Sequence, residues 1–187
     1  MEMVKLNTCV FISGKGSNLR KLILNSKKYN FPIKISLVVC NNKNAEGLKL
    51  VKKWSIPSLI LNNKQYLSEN KLLTKLKTHK IDLILLAGYM KILSKRFIRS
   101  FGKSIINIHP SLLPKFKGLN TFERVLKKKE KKTGCTVHFV NEKLDAGKII
   151  LKKFFYVEKD DDVSSLKKKT QNLEYNAFSE AIIRVVK

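Results

Sequence analysis

Histidine, cysteine and arginine are scarce in this chain of 187 residues, and each scarcity removes a class of chemistry. Three histidines (His79, His109, His138) and three cysteines (Cys9, Cys40, Cys135) lie too far apart for metal-ligand spacing, so we expect no metal. An odd number of distant cysteines makes no disulfide framework, and reduced thiols in a cytoplasmic protein are the simplest reading. No apolar run approaches the ~18 residues of a membrane span. The start, MEMVKLNTCVFISG, carries early acidic and polar residues and runs straight into a strand pattern, unlike a cleaved signal. We therefore expect no membrane partner. Repeats, low-complexity tracts and Pro/Gly/Ser linkers are also missing, which predicts one domain over residues 1–187.

Acidic residues are few as well, 14 against 39 basic ones, for a formal net charge of +25. Such a balance points first to nucleic acid. The kind of charge argues otherwise. Only Arg20, Arg96, Arg99, Arg124 and Arg184 are arginines, and the remaining 34 basic residues are lysines scattered along the chain. Sequence-specific contacts favour arginine's planar fork over lysine's point charge. We expect weak, nonspecific affinity for polyanions and no specific nucleic-acid partner.

Apolar runs at Val4–Ile12, Ile33–Cys40, Ser58–Leu61, Asp82–Ala87 and Ser104–Ile108 read as buried parallel strands. Between them, Leu19, Leu22 and Ile23, then Leu48, Val51 and Trp54, then Leu72, Leu73 and Leu76 recur at helical spacing. Strand and helix in alternation predict an α/β protein with an open, mostly parallel, doubly wound sheet. The last third differs. Thr133–Asn141 and Lys148–Val157, separated by a few residues centred on KLDAG, predict a C-terminal antiparallel hairpin. A final helix should begin at Asp160-Asp161-Asp162 and bury a stripe of Val163, Leu166, Thr170, Leu173, Ala177 and Ala181. The run KKKEKK at Lys127–Lys132 reads as a solvated helix end.

Three stretches could carry chemistry. SGKGSNLRKLI, Ser13–Ile23, puts Gly16, Ser17 and Asn18 where the first strand meets a helix. It is either a plain β–α turn or an anion corner of free N–H groups and helix dipole. Leu19 stands where a dinucleotide fingerprint has its last glycine, so a monophosphate fits better. LLAGYMKIL, Leu85–Leu93, reads as a core strand, or as one whose exposed turn from Gly88 holds a flat ring at the sheet's carboxyl edge. INIHPSLLP, Ile106–Pro114, sets Asn107 and His109 on one side of an extended chain. Asp145 follows in the hairpin turn. Taken singly, His109 could merely orient the proline loop and Asp145 could be an ordinary turn residue. Together, an amide and an imidazolium could stabilise an oxyanion while the carboxylate orients the imidazole. No serine or cysteine nucleophile pairs with the histidine, which favours direct transfer. His138 alternates with apolar Val137 and Phe139 and is expected to be structural or to support the site from behind; His79, among lysines, should be exposed.

ISGKGSNL, LAGYMKIL, INIHPSLLPKFKG, GCTVHFVNEKLDAG and TQNLEYNAF, in this order and spacing, resemble the glycinamide ribonucleotide transformylase branch of the folate-dependent formyltransferase superfamily, with its Rossmann-like fold, over nearly the whole chain. The resemblance implies that 10-formyltetrahydrofolate, as co-substrate, donates its formyl group to the amine of glycinamide ribonucleotide. Gly16, Ser17 and Asn18 would then hold the phosphate and Glu174 the ribose. Met90, Lys91, Ile92 and Leu93 would lie against the pterin, with Asn107 reaching the formyl oxygen. Asn107 and protonated His109 would stabilise the tetrahedral oxyanion, with Asp145 keeping His109 charged.

The chain departs from the family's pattern in places. Lys15 stands where an asparagine is usual, and Lys91 where an arginine is. The arginine that usually precedes the third helix has no match, with Lys64 or Gln65 nearby. The chain stops at Lys187 where relatives continue into further strands, an expected cost in stability alone. Three rivals share parts of the pattern. A methionyl-tRNA formyltransferase would need an added RNA-binding domain, and a formyltetrahydrofolate deformylase a regulatory one. A basic nucleic-acid module on an inactive fold would need none of the intact trio.

Overall fold

A computed structural model describes residues 4–61 and 65–186. The elements run β1 (Leu6–Ile12), α1 (Ser17–Ser26), β2 (Ile33–Cys40), α2 (Gly47–Lys53), β3 (Ser58–Ile60), α3 (Gln65–Thr78), β4 (Leu83–Leu86), α4 (Lys95–Phe101) and β5 (Ser104–His109), then α5 (Thr121–Lys127), β6 (Lys132–Phe139), β7 (Ile149–Tyr156) and α6 (Val163–Val186). Hydrogen-bonded neighbours give the strand order β3-β2-β1-β4-β5-β6-β7. The expected α/β architecture, parallel strands followed by an antiparallel hairpin and a last helix, is the one observed. Residues cluster into two compact units, Met1–Ile106 with Val186–Lys187 and Asn107–Val185, the boundary falling inside β5.

In the first unit β1 is parallel to both β2 and β4, with Val10 opposite Val38 on one side and Leu85 on the other. Thr8 to Ile12 and all of β4 are buried. Helices that cover both faces of a parallel sheet remove the need for polar alternation, which is why these strands read as unbroken apolar runs. Each buried Leu, Ile or Phe there contributes about 1.5–3 kcal/mol. The expected start of β1 at Val4 is two residues early, since Val4 is 87% exposed and pairing begins at Leu6. The chain leaves β1 for β2 on one side and returns to β4 on the other. Their carboxyl ends therefore flank the place where strand order reverses, the usual seat of ligands in open α/β sheets.

In the second unit β6 and β7 form the antiparallel hairpin, with Gly134 opposite Phe154 and Thr136 opposite Lys152. Helix α6 starts at Val163, later than the aspartate run. Asp162 accepts the Ser165 N–H at 2.7 Å while the Ser165 hydroxyl accepts the Asp162 N–H at 3.0 Å, a reciprocal cap that satisfies two end groups. Of the expected stripe, Leu166, Thr170, Ala177 and Ala181 are buried and Val163 and Leu173 only partly; Phe178 and Ile182 complete the buried side. Among the described residues no helix is long and apolar enough to cross a membrane.

Candidate functional site

The corner after β1 is built by close backbone contact. Gly16 has φ +73°, and a Cβ there would lie 2.8 Å from the Cα of Gly47. Gly47 opens α2 and donates its N–H to the Gly14 carbonyl at 3.0 Å. Two glycines thus let the start of α2 brace the loop that enters α1. Gly47 escaped the sequence reading, since a glycine opening a helix looks unremarkable without its neighbour. Gly16, at the N-cap of α1, has no side chain with which to cap the helix, and the first turn holds no acidic residue. Ten residues of aligned peptide dipoles therefore end at Gly16–Asn18, a suitable place for an anion. Asn18 is buried, Ser17 half-buried and Lys15 exposed, as a charge added beside an anion should be.

The turn after β4 joins this corner. Met90 donates its N–H to the Ser13 hydroxyl oxygen at 2.8 Å, and Ser13 donates in turn to Asn41 Oδ1 at 2.6 Å. Tyr89 packs edge-on against Phe11, with ring centroids 5.2 Å apart. Burial, helped by Cys40 and Glu69, pushes its phenol up to about 12, so it stays neutral and serves as an anchor. With Tyr89 turned inward, Met90 and Ile92 are left 65% and 68% exposed, Lys91 is exposed and Leu93 half-buried. A hydrophobic pair held outside the core on a fixed turn is a platform for an apolar ring face.

In the second unit the chain after β5 is clamped onto β6. Thr136 donates its hydroxyl to the Ser111 carbonyl at 2.7 Å and accepts the Leu113 N–H at 3.0 Å, which holds the HPSLLP loop in place. His109 is 5% exposed. Its Nε2 lies 2.8 Å from the Phe116 carbonyl, which only accepts, so that nitrogen carries a hydrogen. Its Nδ1 lies 3.4 Å from Asp145 Oδ2, and that same oxygen accepts the Gly118 N–H at 2.9 Å. Asp145 Oδ1 lies 3.7 Å from His138 Nε2, which is 3.2 Å from Asn107 Nδ2. The three residues singled out in the sequence are therefore joined, but through a fourth. His138, expected only as structural or supporting, is the link between Asn107 and Asp145. It is 2% exposed, and burial first of all lowers the imidazole below its ordinary 6.5, with His109 and Lys117 adding and Asp145 and the Phe139 carbonyl opposing.

Gly147 explains the LDAG turn. A Cβ at that position would lie 1.7 Å from the Phe139 carbonyl oxygen, so no side chain fits. Asp145 takes φ +44°, a left-handed conformation that short Asp and Asn side chains tolerate best.

Glu174 sits half-buried midway along α6. Its charge, after burial, helps push the Cys135 thiol of β6 up to about 12. His79, expected to be exposed, is half-buried just past α3, where its N–H closes a turn onto the Lys75 carbonyl at 3.0 Å. The Lys127–Lys132 run is the end of α5 and the entry to β6, solvated except that half-buried Glu130 pairs with Lys115 at 2.9 Å. Lys64 lies outside the described residues, as does the side chain of Gln65.

Comparison with known proteins gives a consistent outcome. A family model described as "Formyl transferase" matches residues 6–182. A phosphoribosylglycinamide formyltransferase of Haemophilus influenzae is 38% identical over 90% of this chain and 82% of its own length. A trifunctional purine biosynthetic protein adenosine-3 of Gallus gallus is 41% identical over 95% of this chain, which spans only 18% of that longer protein. Human and Drosophila melanogaster proteins of the same name are covered over 18% and 14% of their length. Crystal structures of phosphoribosylglycinamide formyltransferases from Anaplasma phagocytophilum and Brucella melitensis superpose with a TM-score of 0.91 each, at 37% and 35% identity. Each covers 97% of this chain, which matches 86% and 96% of theirs.

Proposed function

The chain belongs to the formyl transferase family, in its phosphoribosylglycinamide formyltransferase branch, and from that premise we propose that it moves the formyl group of 10-formyltetrahydrofolate to the amine of 5'-phosphoribosylglycinamide in purine biosynthesis. The observation that carries the reading is the run of contacts from Asn107 through His138 and Asp145 to His109. Corner residues Gly16, Ser17 and Asn18 bind the phosphate through N–H groups and the α1 dipole, and Glu174 binds the ribose. Met90, Lys91, Ile92 and Leu93 receive the pterin.

The amine nitrogen attacks the formyl carbon and the C=O pair moves to oxygen, giving a tetrahedral oxyanion. An Asn107 N–H and the His109 imidazolium, whose Nε2–H exchanges the Phe116 carbonyl for the substrate, stabilise that charge, donors held in a low-dielectric setting where they act most strongly. The C–N bond to folate then breaks, the folate nitrogen takes a proton by way of His109, and the new amide nitrogen loses one. Asp145 Oδ2 faces His109 Nδ1 at 3.4 Å and holds the ring in place. No covalent enzyme intermediate is needed. The family match spans both compact units, which supports treating residues 1–187 as one formyltransferase domain. Three buried, unbridged cysteines suit a reducing cytoplasm.

The test is an assay of formyl transfer from 10-formyltetrahydrofolate, with glycinamide ribonucleotide, methionyl-tRNA and water offered separately as acceptors. Transfer to the ribonucleotide at least a hundredfold faster than to the others is expected. Folded protein that leaves the ribonucleotide untouched would sink the reading.

A further inference from the structure

We propose that His138 is the positioning residue that makes Asn107 present a hydrogen-bond donor, rather than its carbonyl oxygen, to the developing oxyanion. The inference rests on the functional reading above. A carboxamide has two nearly isosteric ends, one donating and one accepting, and only its neighbours decide which way it faces. Only an N–H can stabilise an oxyanion; the other end would repel it.

His138 decides. Its Nδ1 is 2.8 Å from the Phe139 carbonyl, an acceptor, so the ring hydrogen sits on Nδ1. In the neutral ring Nε2 is then a bare lone pair, and the group 3.2 Å from it must be the Asn107 amino group. One of that group's two hydrogens is used on His138 and the other remains for a second acceptor. Reversing the amide would set two lone pairs against each other inside a buried site, the costly arrangement.

Every group that faces the ring bears on this assignment. Phe139 fixes the tautomer, Asn107 supplies the donor, and Asp145 Oδ1 at 3.7 Å accepts if the ring gains a proton. The charges of His109 and Lys117 oppose that proton, and burial opposes it more. A protonated His138 would turn Nε2–H toward Asp145 and release Asn107. His138 must therefore stay neutral to keep hold of Asn107, while His109 meets the other oxygen of the same carboxylate. The two imidazoles around Asp145 have different tasks.

The test combines kinetics with a measurement that needs no activity. His138→Leu removes the acceptor, and His138→Gln replaces it with an amide oxygen. Expected are a fall in kcat of about 10- to 100-fold for His138→Leu with KM within threefold, and recovery to within about fivefold in His138→Gln. In an Asn107→Ala background, His138→Leu should change kcat less than threefold, because its effect passes through Asn107. Full additivity, equal losses in the two variants, or a change confined to KM would overturn the proposal. Nitrogen NMR of wild-type His138 reads the tautomer directly. Hydrogen on Nδ1 and a bare Nε2 at neutral pH are expected, and the reverse overturns the positioning role whether or not His138→Leu folds. A wild type inactive on the ribonucleotide, with that tautomer present, overturns the functional reading and the oxyanion role with it.

Discussion

Asp145→Asn isolates the charge of the site from its shape. Asp145 has φ +44°, and asparagine tolerates that left-handed conformation at least as well. Alanine there would mix strain with loss of the group. In the variant the amide oxygen keeps the Gly118 N–H now held at 2.9 Å, and the amino group takes the position facing His138 Nε2 at 3.7 Å. What disappears is the negative charge 3.4 Å from His109 Nδ1, between side chains only 7% and 8% exposed. At an effective dielectric constant of ~20, that separation corresponds to roughly 5 kcal/mol of gross attraction for the imidazolium. A neutral acceptor restores part of it, leaving a loss of about 3–4 kcal/mol. At 1.36 kcal/mol per decade, the transfer rate should fall about 150- to 900-fold. Steady-state formyl transfer measures kcat and KM, and circular dichroism confirms the fold. A variant with unaltered Tm that retains more than a tenth of wild-type kcat would refute the claim that Asp145 works through charge.

Other perturbations probe the remaining parts. Gly16→Ala puts a methyl group 2.8 Å from the Gly47 Cα at φ +73°; we expect about 1–3 kcal/mol of destabilisation by denaturant unfolding and a KM for the ribonucleotide raised at least tenfold. Met90→Ala with Ile92→Ala removes two exposed side chains, so Tm should stay within about 2 °C while the KM for the folate donor rises severalfold. His138 is held below its ordinary 6.5 when folded, so the unfolded chain takes up its proton first. Its contribution to stability is complete above that value and is lost as pH falls through the folded pKa. Urea unfolding between pH 7 and 5 should show a downward slope in wild type that is shallower in His138→Gln.

Much of the fold was legible because burial leaves a simple mark. Strands covered on both faces, β1 and β4 above all, have no polar face to maintain, so their apolar runs announce them. Ends were less legible. Val4 extends the apolar run but lies ahead of Leu6, where the pairing of the described residues begins, and aspartates before α6 complement a helix dipole whether they cap the helix or precede it. Phe178 and Ile182 were missed because a helix of 24 residues buries a band wider than one stripe.

The site was legible in its parts and not in its wiring. Asn107 and His109 share a side of one strand by the period of two, and that much follows from spacing. Their connection does not. It depends on a hairpin turn that delivers Asp145 from 36 residues further on, and that turn exists because Gly147 leaves room for the Phe139 carbonyl. The same Phe139 carbonyl neighbours the His138 Nδ1 and fixes its tautomer. A single backbone oxygen thus touches both the glycine that shapes the turn and the imidazole that orients Asn107. An alternating strand gave His138 the look of a core residue because, in burial, it is one. What distinguishes it is which groups meet its two nitrogens, and that is settled across strands, where periodicity along a single strand carries no information.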